Sequence, residues 1–404
     1  MVVGLVNRLK ARFEASAWWA RVLYVYLSTR LFSAAIFLML ALVQGDNYWT
    51  KAHPTYFKFL NIWDARWFAK IYYLGYPSVL PTNPDGTLQQ NAWAFLPGFP
   101  VTVRALAFTG INWEYLAPLV AVTLGAAFAL VAYRLFLLKL GPRQSLWAVG
   151  LFLVSPAAPI LQAGYSESLG LLLVALCLYF WLTDRYWLNV LSMVALAFTR
   201  PGISAFALAY AAVWLVHIIR ARRGGQPMHN HETLKLLSLA AIAGFLNFAW
   251  PATAAIVTGR LDAYVATELT WRVGYPNNGG GLTPLAQWFS SAEYFIGGPL
   301  GQATVVLAIL ATAALFALPS VRKLGLELCV WLASYFIFLF LFFFPQSSLV
   351  RILMPNFALF GAIAIISARW SNNFRFLLMG ILILLQVVWV YFCWVYQAPD
   401  FSPP

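Results

Sequence analysis

Long apolar runs separated by short polar connections recur along the whole chain. Each run is near the ~20 residues a helix needs to cross the hydrocarbon core of a bilayer. The pattern places spans near 22–43, 116–138, 146–161, 165–182, 203–219, 234–257, 301–318, 325–344, 351–367 and 376–396. A shorter run at 187–199, cut from the next span by Pro201-Gly202, makes an eleventh crossing. The pattern predicts an all-α polytopic membrane protein, a single integral domain over 1–404, with no internal repeat or low-complexity tract.

Two connections are long enough to build a site, 44–115 and 258–300. In the first, 56–63 and 67–73 are rich in aromatic residues, with Lys58 and Lys70 spaced so that they can snorkel. That pattern suits helices lying in the plane of the membrane interface. Pro77, Pro81, Pro84 and Asp85-Gly86 then mark a turn-rich stretch. In the apolar piece 93–100, Pro97 and Pro100 call for extended or kinked backbone. The second connection carries Asn277-Asn278-Gly279-Gly280-Gly281, which reads equally as a gate over a site or as slack.

Composition agrees with the pattern: 62% of residues are hydrophobic and only 10% charged. Lysine and arginine total 26 against 13 acids, a net charge of +13. With the N-terminus in the cytoplasm, most of that excess falls in cytoplasmic connections, so the positive-inside rule predicts N-in, C-out. Loops facing anionic lipid account for the charge without a nucleic-acid partner. The three cysteines, Cys177, Cys329 and Cys393, lie in apolar runs without ligand spacing. The first apolar stretch is too long, and lacks the small-residue cleavage site, for a removable signal peptide.

Candidate chemistry gathers on the predicted outward face. Asp64, between Trp63 and Trp67, would be desolvated and made more basic, as a general base requires; the alternative is an N-cap of a helix starting at Ala65. Arg66 stands two residues away and points elsewhere on a helix, so it is freer to meet a phosphate. Glu167, in Tyr165-Ser166-Glu167, opens a span, where an acid also stabilises a helix N-terminus. Arg200 sits at a helix break deep in apolar sequence, where a charge normally faces a cavity or a partner. Arg351 at an outward helix end is a phosphate ligand or a snorkelling anchor, and Arg272 beside Trp271 is a further candidate. Arg66, Arg200, Arg272 and Arg351 together place fork-shaped donors on one face, an arrangement suited to gripping a phosphate, while the aromatic loop offers stacking surfaces to a sugar. Arg30 and Arg134 read as structural. No G-x-x-x-x-G-K or G-x-G-x-x-G is present, and no acidic cluster has the spacing of a Mg²⁺ or Mn²⁺ site, so no metal or other cofactor is expected.

Several strings in order, Trp63-Asp64, Gly75-Tyr76, Ala94-Phe95-Leu96-Pro97-Gly98-Phe99-Pro100, Ser155-Pro156-Ala157, Ala163-Gly164-Tyr165-Ser166-Glu167-Ser168-Leu169 and Arg200-Pro201-Gly202, resemble the phosphatidylinositol-glycan class V mannosyltransferases. That family includes GPI mannosyltransferase II and bacterial relatives. The resemblance covers about 60–205, with a fainter echo at Arg351-Ile352-Leu353-Met354-Pro355. It implies a C-type glycosyltransferase fold and transfer of mannose from a polyprenyl-phosphate-mannose donor to a hydroxyl of a glycolipid or cell-envelope glycan. It also implies an essential acid in the first outward loop, here Asp64. The tyrosine–serine–glutamate motif falls on Tyr165, Ser166 and Glu167, and the arginine–glycine motif on Arg200 and Gly202.

The chain departs from eukaryotic members in having Trp67 near the position of a histidine and a shorter arginine–glycine string. It also has a longer stretch before the Phe-Leu-Pro-Gly-Phe-Pro string. These differences suit a bacterial plasma-membrane enzyme with an extracytoplasmic active site. In this reading Asp64 is the base, Arg66, Arg200, Arg351 and Arg272 bind the donor phosphate, and Trp63, Trp67, Tyr165, Ser166 and Glu167 meet sugar or acceptor. The rival classes are a transporter or flippase for a lipid-linked sugar, and a noncatalytic partner subunit of another transferase.

Overall fold

The computed structural model describes residues 11–226, 228–395 and 403–404. Among them the backbone is helical apart from turns and one isolated bridge, Thr82 to Leu88. Among the described residues, six helices are long and apolar enough to cross a membrane: Trp18–Val43, Trp113–Leu137, Ile203–Arg222, Asn230–Thr258, Gly298–Leu315 and Asn372–Trp394. Shorter apolar helices run over Glu167–Leu182, Tyr186–Ala197 and Leu326–Phe342. These helices make the chain an integral membrane protein.

Two of the eleven expected spans are not continuous helices. The run read as 146–161 is a 12-residue helix, Pro142–Leu153, about 18 Å long, followed by an irregular buried segment and a 3₁₀ turn at Ala158–Gln162. Pro156 and Pro159 explain the break, since each lacks an N–H and crowds the preceding turn. The run read as 351–367 is likewise divided into Leu349–Ile352, a 3₁₀ turn at Met354–Asn356 and Leu359–Ser367, interrupted at Pro355.

Irregular backbone buried among apolar helices must find hydrogen-bond partners other than water. At the first break they come from two polar residues inside long helices. Arg30 donates to the carbonyls of Leu153, at 2.8 Å, and Ala158. Gln386 donates to those of Leu153 and Ser155, at 3.3 and 3.1 Å. Ser33 in turn donates to the Gln386 side-chain oxygen at 3.2 Å. Arg30 is therefore structural, as its place in the first span suggested. At the second break, Tyr335 donates to the Ile352 carbonyl at 2.9 Å and Trp331 to the Pro355 carbonyl at 3.2 Å.

The long connection 44–115 is packed into the protein. Its helices are Tyr56–Leu60 and Asp64–Leu74. Phe59, Leu60, Ile62, Trp63 and Ala65 are all buried in the main core. Phe59 and Trp394 both meet Phe37 of the first long helix, at 6.1 and 5.2 Å. Their apolar face is thus spent on protein, where the sequence pattern had suggested a helix face laid on lipid. The reading of Asp64 as an N-cap is also corrected. Trp63 is the N-cap, and Asp64 is the first helical residue. The stretch around Pro97 and Pro100 is helical too, over Gly98–Arg104; a proline in a first turn sacrifices no intrahelical bond.

The glycine-rich tip of the second connection is stitched down. Arg272 and Gln287 both donate to the Gly281 carbonyl, at 2.5 and 3.2 Å, and Ser290 donates to the Pro276 carbonyl. Asn277, Asn278 and three glycines occupy positive φ there, which glycine adopts freely for want of a Cβ and asparagine tolerates better than most residues.

Candidate active site

Four charged side chains from four separate segments meet at one end of the bundle. The Arg351 Nη1 lies 2.7 Å from Asp64 Oδ2 and 3.0 Å from Glu167 Oε1. Arg200 Nη1 reaches the same Glu167 oxygen at 2.5 Å. Asp64 opens the Asp64–Leu74 helix, Glu167 opens Glu167–Leu182, Arg200 stands before Ile203–Arg222, and Arg351 lies on Leu349–Ile352. Two carboxylates and two guanidiniums make the cluster formally neutral. It is also largely desolvated, with Glu167 1% exposed. Only Asp64 retains appreciable access, 23% for its side chain.

Local sequence makes each approach possible. Trp63 takes φ 56° and ψ −124°, a conformation costly for a residue with a side chain. This turn ends one short helix and starts the next with Asp64 in its first turn. The turn is held by Trp63 donating to the Cys393 carbonyl at 2.8 Å and Tyr165 donating to the Ile62 carbonyl at 3.0 Å. Gly170 lets Arg200 reach Glu167, because a Cβ there would fall on the Arg200 Cδ and lie 3.1 Å from its Cγ. Gly98 lets the Phe-Leu-Pro-Gly-Phe-Pro string dock on the backbone before Arg200. Its N–H donates to the Phe198 carbonyl at 2.6 Å, and a Cβ would strike Thr199. The strings that looked unrelated along the chain are thus pieces of one contact.

Beside the cluster is a narrow cleft lined by Glu167, Gly170, Arg200, Trp331, Tyr335 and Arg351 among others. Among the described residues, Glu167 Oε2 and Arg351 Nε are buried and find no protein partner, so the cluster keeps unused hydrogen-bonding capacity. Buried polar groups in native proteins rarely stay unpaired, and a ligand or water would satisfy them.

The other expected site residues divide. Tyr165 is fully buried, with the Arg351 guanidinium 5.5 Å from its ring centroid, and Ser166 is buried beside it. Tyr165 thus backs the cluster through its ring. Trp63 is buried in the core, while Trp67 keeps a partly open ring stacked on Phe95 at 5.5 Å. Arg66 does not pair with Asp64. Its guanidinium donates to the Trp49 carbonyl and lies 5.6 Å from the Trp49 ring. Arg272 is occupied by the carbonyls of Gly281 and Phe342. Of the four arginines, only Arg200 and Arg351 join the carboxylates.

Sequence reasoning missed Glu268, on the Ala263–Leu269 helix of the second connection. Burial pushes its carboxyl up to about 7; Arg272 and Tyr264 offset part of that rise and the Asp64 carboxylate adds to it. The signal was present: Glu268 precedes Trp271 by three residues, as Asp64 precedes Trp67.

No protein-family model matches the sequence, and no curated protein matches it. Among solved structures the chain is similar to the oligosaccharyltransferase of Archaeoglobus fulgidus. For its apo form the TM-score is 0.40 at 12% identity, covering 90% of this chain and 56% of that one. For its complex with zinc and sulfate the values are 0.40, 12%, 89% and 52%. For the form tethered to an acceptor peptide with an NVT sequon they are 0.37, 12%, 91% and 54%. The chain spans about half the length of that protein. At this level of overlap, the roles of the residues rest on their own geometry.

Proposed function

We propose that this chain is a membrane glycosyltransferase of the C-type fold, acting on the extracytoplasmic side. It would transfer mannose from a polyprenyl-phosphate-mannose donor to a hydroxyl of a glycolipid or cell-envelope glycan. The observation that carries the reading is the Asp64–Arg351–Glu167–Arg200 cluster, an acid and phosphate-binding donors held together at one end of a helical bundle. The choice of mannose, of a polyprenyl carrier and of a bacterial plasma membrane rests on the sequence resemblance.

In this mechanism the acceptor oxygen attacks the anomeric carbon as the bond from that carbon to the phosphate oxygen breaks, with inversion. Asp64 takes the acceptor's proton. The electron pair leaves with the polyprenyl phosphate, whose charge Arg351 and Arg200 stabilise. Arg351 Nη1 bridges Asp64 and Glu167, so it stands between the base and the expected phosphate. Glu167 orients both guanidiniums. Arg66 would have to leave Trp49 to join them. Guanidinium groups hold the departing anion, so the reaction calls for no metal or cofactor.

Replacing Asp64 with Asn keeps the shape and removes the basicity. Transfer from polyprenyl phosphomannose in membranes is expected to fall by at least about 100-fold, within the usual range for a lost general base. Near-wild-type transfer would exclude Asp64 as the base. The two broken helices favour one competing reading, a transporter for a lipid-linked sugar, because such proteins place interrupted helices at their binding sites. Radiolabelled sugar in a new covalent product, made by the purified single chain, separates transfer from transport and from a scaffold role.

A further inference from the structure

An acid followed three residues later by tryptophan occurs in both long connections, as Asp64 with Trp67 and Glu268 with Trp271. Positions three apart share one side of a helix, and the two tryptophans meet. The Trp67 and Trp271 centroids are 5.8 Å apart at 67°. Phe95 completes the group, stacked on Trp67 at 5.5 Å and 13° and edge-on to Trp271 at 5.8 Å. All three rings and Glu268 are only partly buried. The second connection is fixed against the first by Asn91 donating to Thr267 at 3.1 Å, and the helix leading into it by Trp250 donating to the Trp93 carbonyl at 3.0 Å. Arg272 is held by backbone carbonyls, and Glu268 shares a side-chain hydrogen bond with Tyr264; a carboxylate with two acceptor oxygens has capacity beyond that one bond.

Of the five residues expected from sequence alone to meet sugar or acceptor, Trp67 lies on this surface. The other four, Trp63, Tyr165, Ser166 and Glu167, are buried, and Glu167 is taken up by Arg200 and Arg351. Resting on the transferase reading above, we infer that Glu268, Trp271, Trp67 and Phe95 form the subsite for the acceptor saccharide. The C–H face of a pyranose would lie on the ring faces, which carry partial negative charge, and the carboxylate would accept hydroxyl hydrogen bonds. An apolar aromatic wall with one placed polar group is the usual make-up of a small-molecule site. Asp64 on the neighbouring helix then faces the hydroxyl to be glycosylated.

The test uses the full chain in phosphatidylcholine nanodiscs, which carry no sugar, and saturation-transfer NMR with methyl α-D-mannopyranoside as the probe. Wild type is expected to transfer saturation to the pyranose ring protons. Trp271→Ala and Glu268→Gln should each weaken binding roughly tenfold, the scale of one charge-assisted hydrogen bond or one stacked ring. Trp271→Phe, which keeps a ring, should recover most of the loss, and so separates a lost platform from a misfolded loop.

Besides Arg272, Tyr264 and Asp64, Lys70 also faces these rings, with its Nζ 5.2 Å from the Trp67 ring centroid. As the Glu268 carboxyl ionises, binding should tighten between pH 6 and pH 8 in wild type and stay flat in Glu268→Gln. No saturation transfer to wild type, or unchanged binding in both Trp271→Ala and Glu268→Gln, overturns the subsite. Asp64→Asn gives the separate control. It should still bind the probe, and full transfer activity in that variant would sink the catalytic reading while leaving the saccharide measurement intact.

Discussion

Replacing Arg351 with alanine removes the guanidinium that touches two carboxylates, at 2.7 and 3.0 Å. At an effective dielectric near 20, a pair of unit charges 4 Å apart is worth about 4 kcal/mol. Two opposing effects reduce the loss. The guanidinium, 11% exposed, no longer has to be desolvated, and Asp64, the more open acid, regains water. Glu167 keeps Arg200 at 2.5 Å. A further ceiling comes from protonation: placing a proton on a carboxylate with a reference pKa near 4.3 costs about 4 kcal/mol at pH 7. Breaking a buried pair typically costs about 3–5 kcal/mol, and the remaining partner and water place this variant near the lower end, about 3 kcal/mol.

The assay is unfolding in mixed detergent–SDS micelles, followed by tryptophan fluorescence. The single variants Arg351→Ala and Asp64→Asn and their combination complete a double-mutant cycle. The combination should be more stable than the sum of the two losses by about 1 kcal/mol or more, because Asn leaves no orphaned charge. Arg351→Lys should rescue only part, since a point charge lacks the planar fork. A loss below about 0.5 kcal/mol for Arg351→Ala, or strict additivity, would refute the account of a desolvated, interdependent cluster.

Gly98→Ala should lower both stability and transfer, because the new methyl strikes Thr199 and pushes the Arg200 segment away; overpacking of this kind costs about 1–3 kcal/mol, read as a lower unfolding midpoint. Arg30→Met leaves the Ala158 carbonyl without its guanidinium donor and the Leu153 carbonyl with only Gln386. At about 1–3 kcal/mol for each buried unsatisfied group, it should be among the more destabilising single changes in the first long helix, as the same unfolding assay would show. Glu268 gives a pH signature with a definite sign. Its folded carboxyl titrates near 7 against a reference of 4.5, so the native state holds a proton that the unfolded chain has lost between those values. Stability should therefore fall as pH rises from about 4.5 to 7, with the slope reduced in Glu268→Gln; identical profiles would contradict it.

Element type was legible because apolar runs of membrane length permit little but helix, and the ends of Trp18–Val43, Trp113–Leu137 and Asn372–Trp394 fall close to the expected spans. The two breaks were not. Runs 146–161 and 351–367 are apolar enough to read as spans, and their prolines signal an interruption only when something can satisfy the freed carbonyls. That help comes from Arg30, Gln386, Tyr335 and Trp331, distant in sequence. Asp64, Glu167, Arg200 and Arg351 could each be singled out as charges out of place in apolar surroundings, yet the same criterion also selected Arg66 and Arg272, which are spent on carbonyls.

By itself, then, the sequence determined a helical membrane protein and the short inventory of charges worth watching. Hydropathy and charge are properties of residues and need no neighbours to be read. Which charges pair was decided only in three dimensions. Gly98 and Gly170 allow segments to approach closely, and the Trp63 turn and Tyr165 bring Asp64 within reach of Arg351. Coulombic contacts depend on separations of a few ångströms, and linear spacing does not specify those between segments 33 to 287 residues apart.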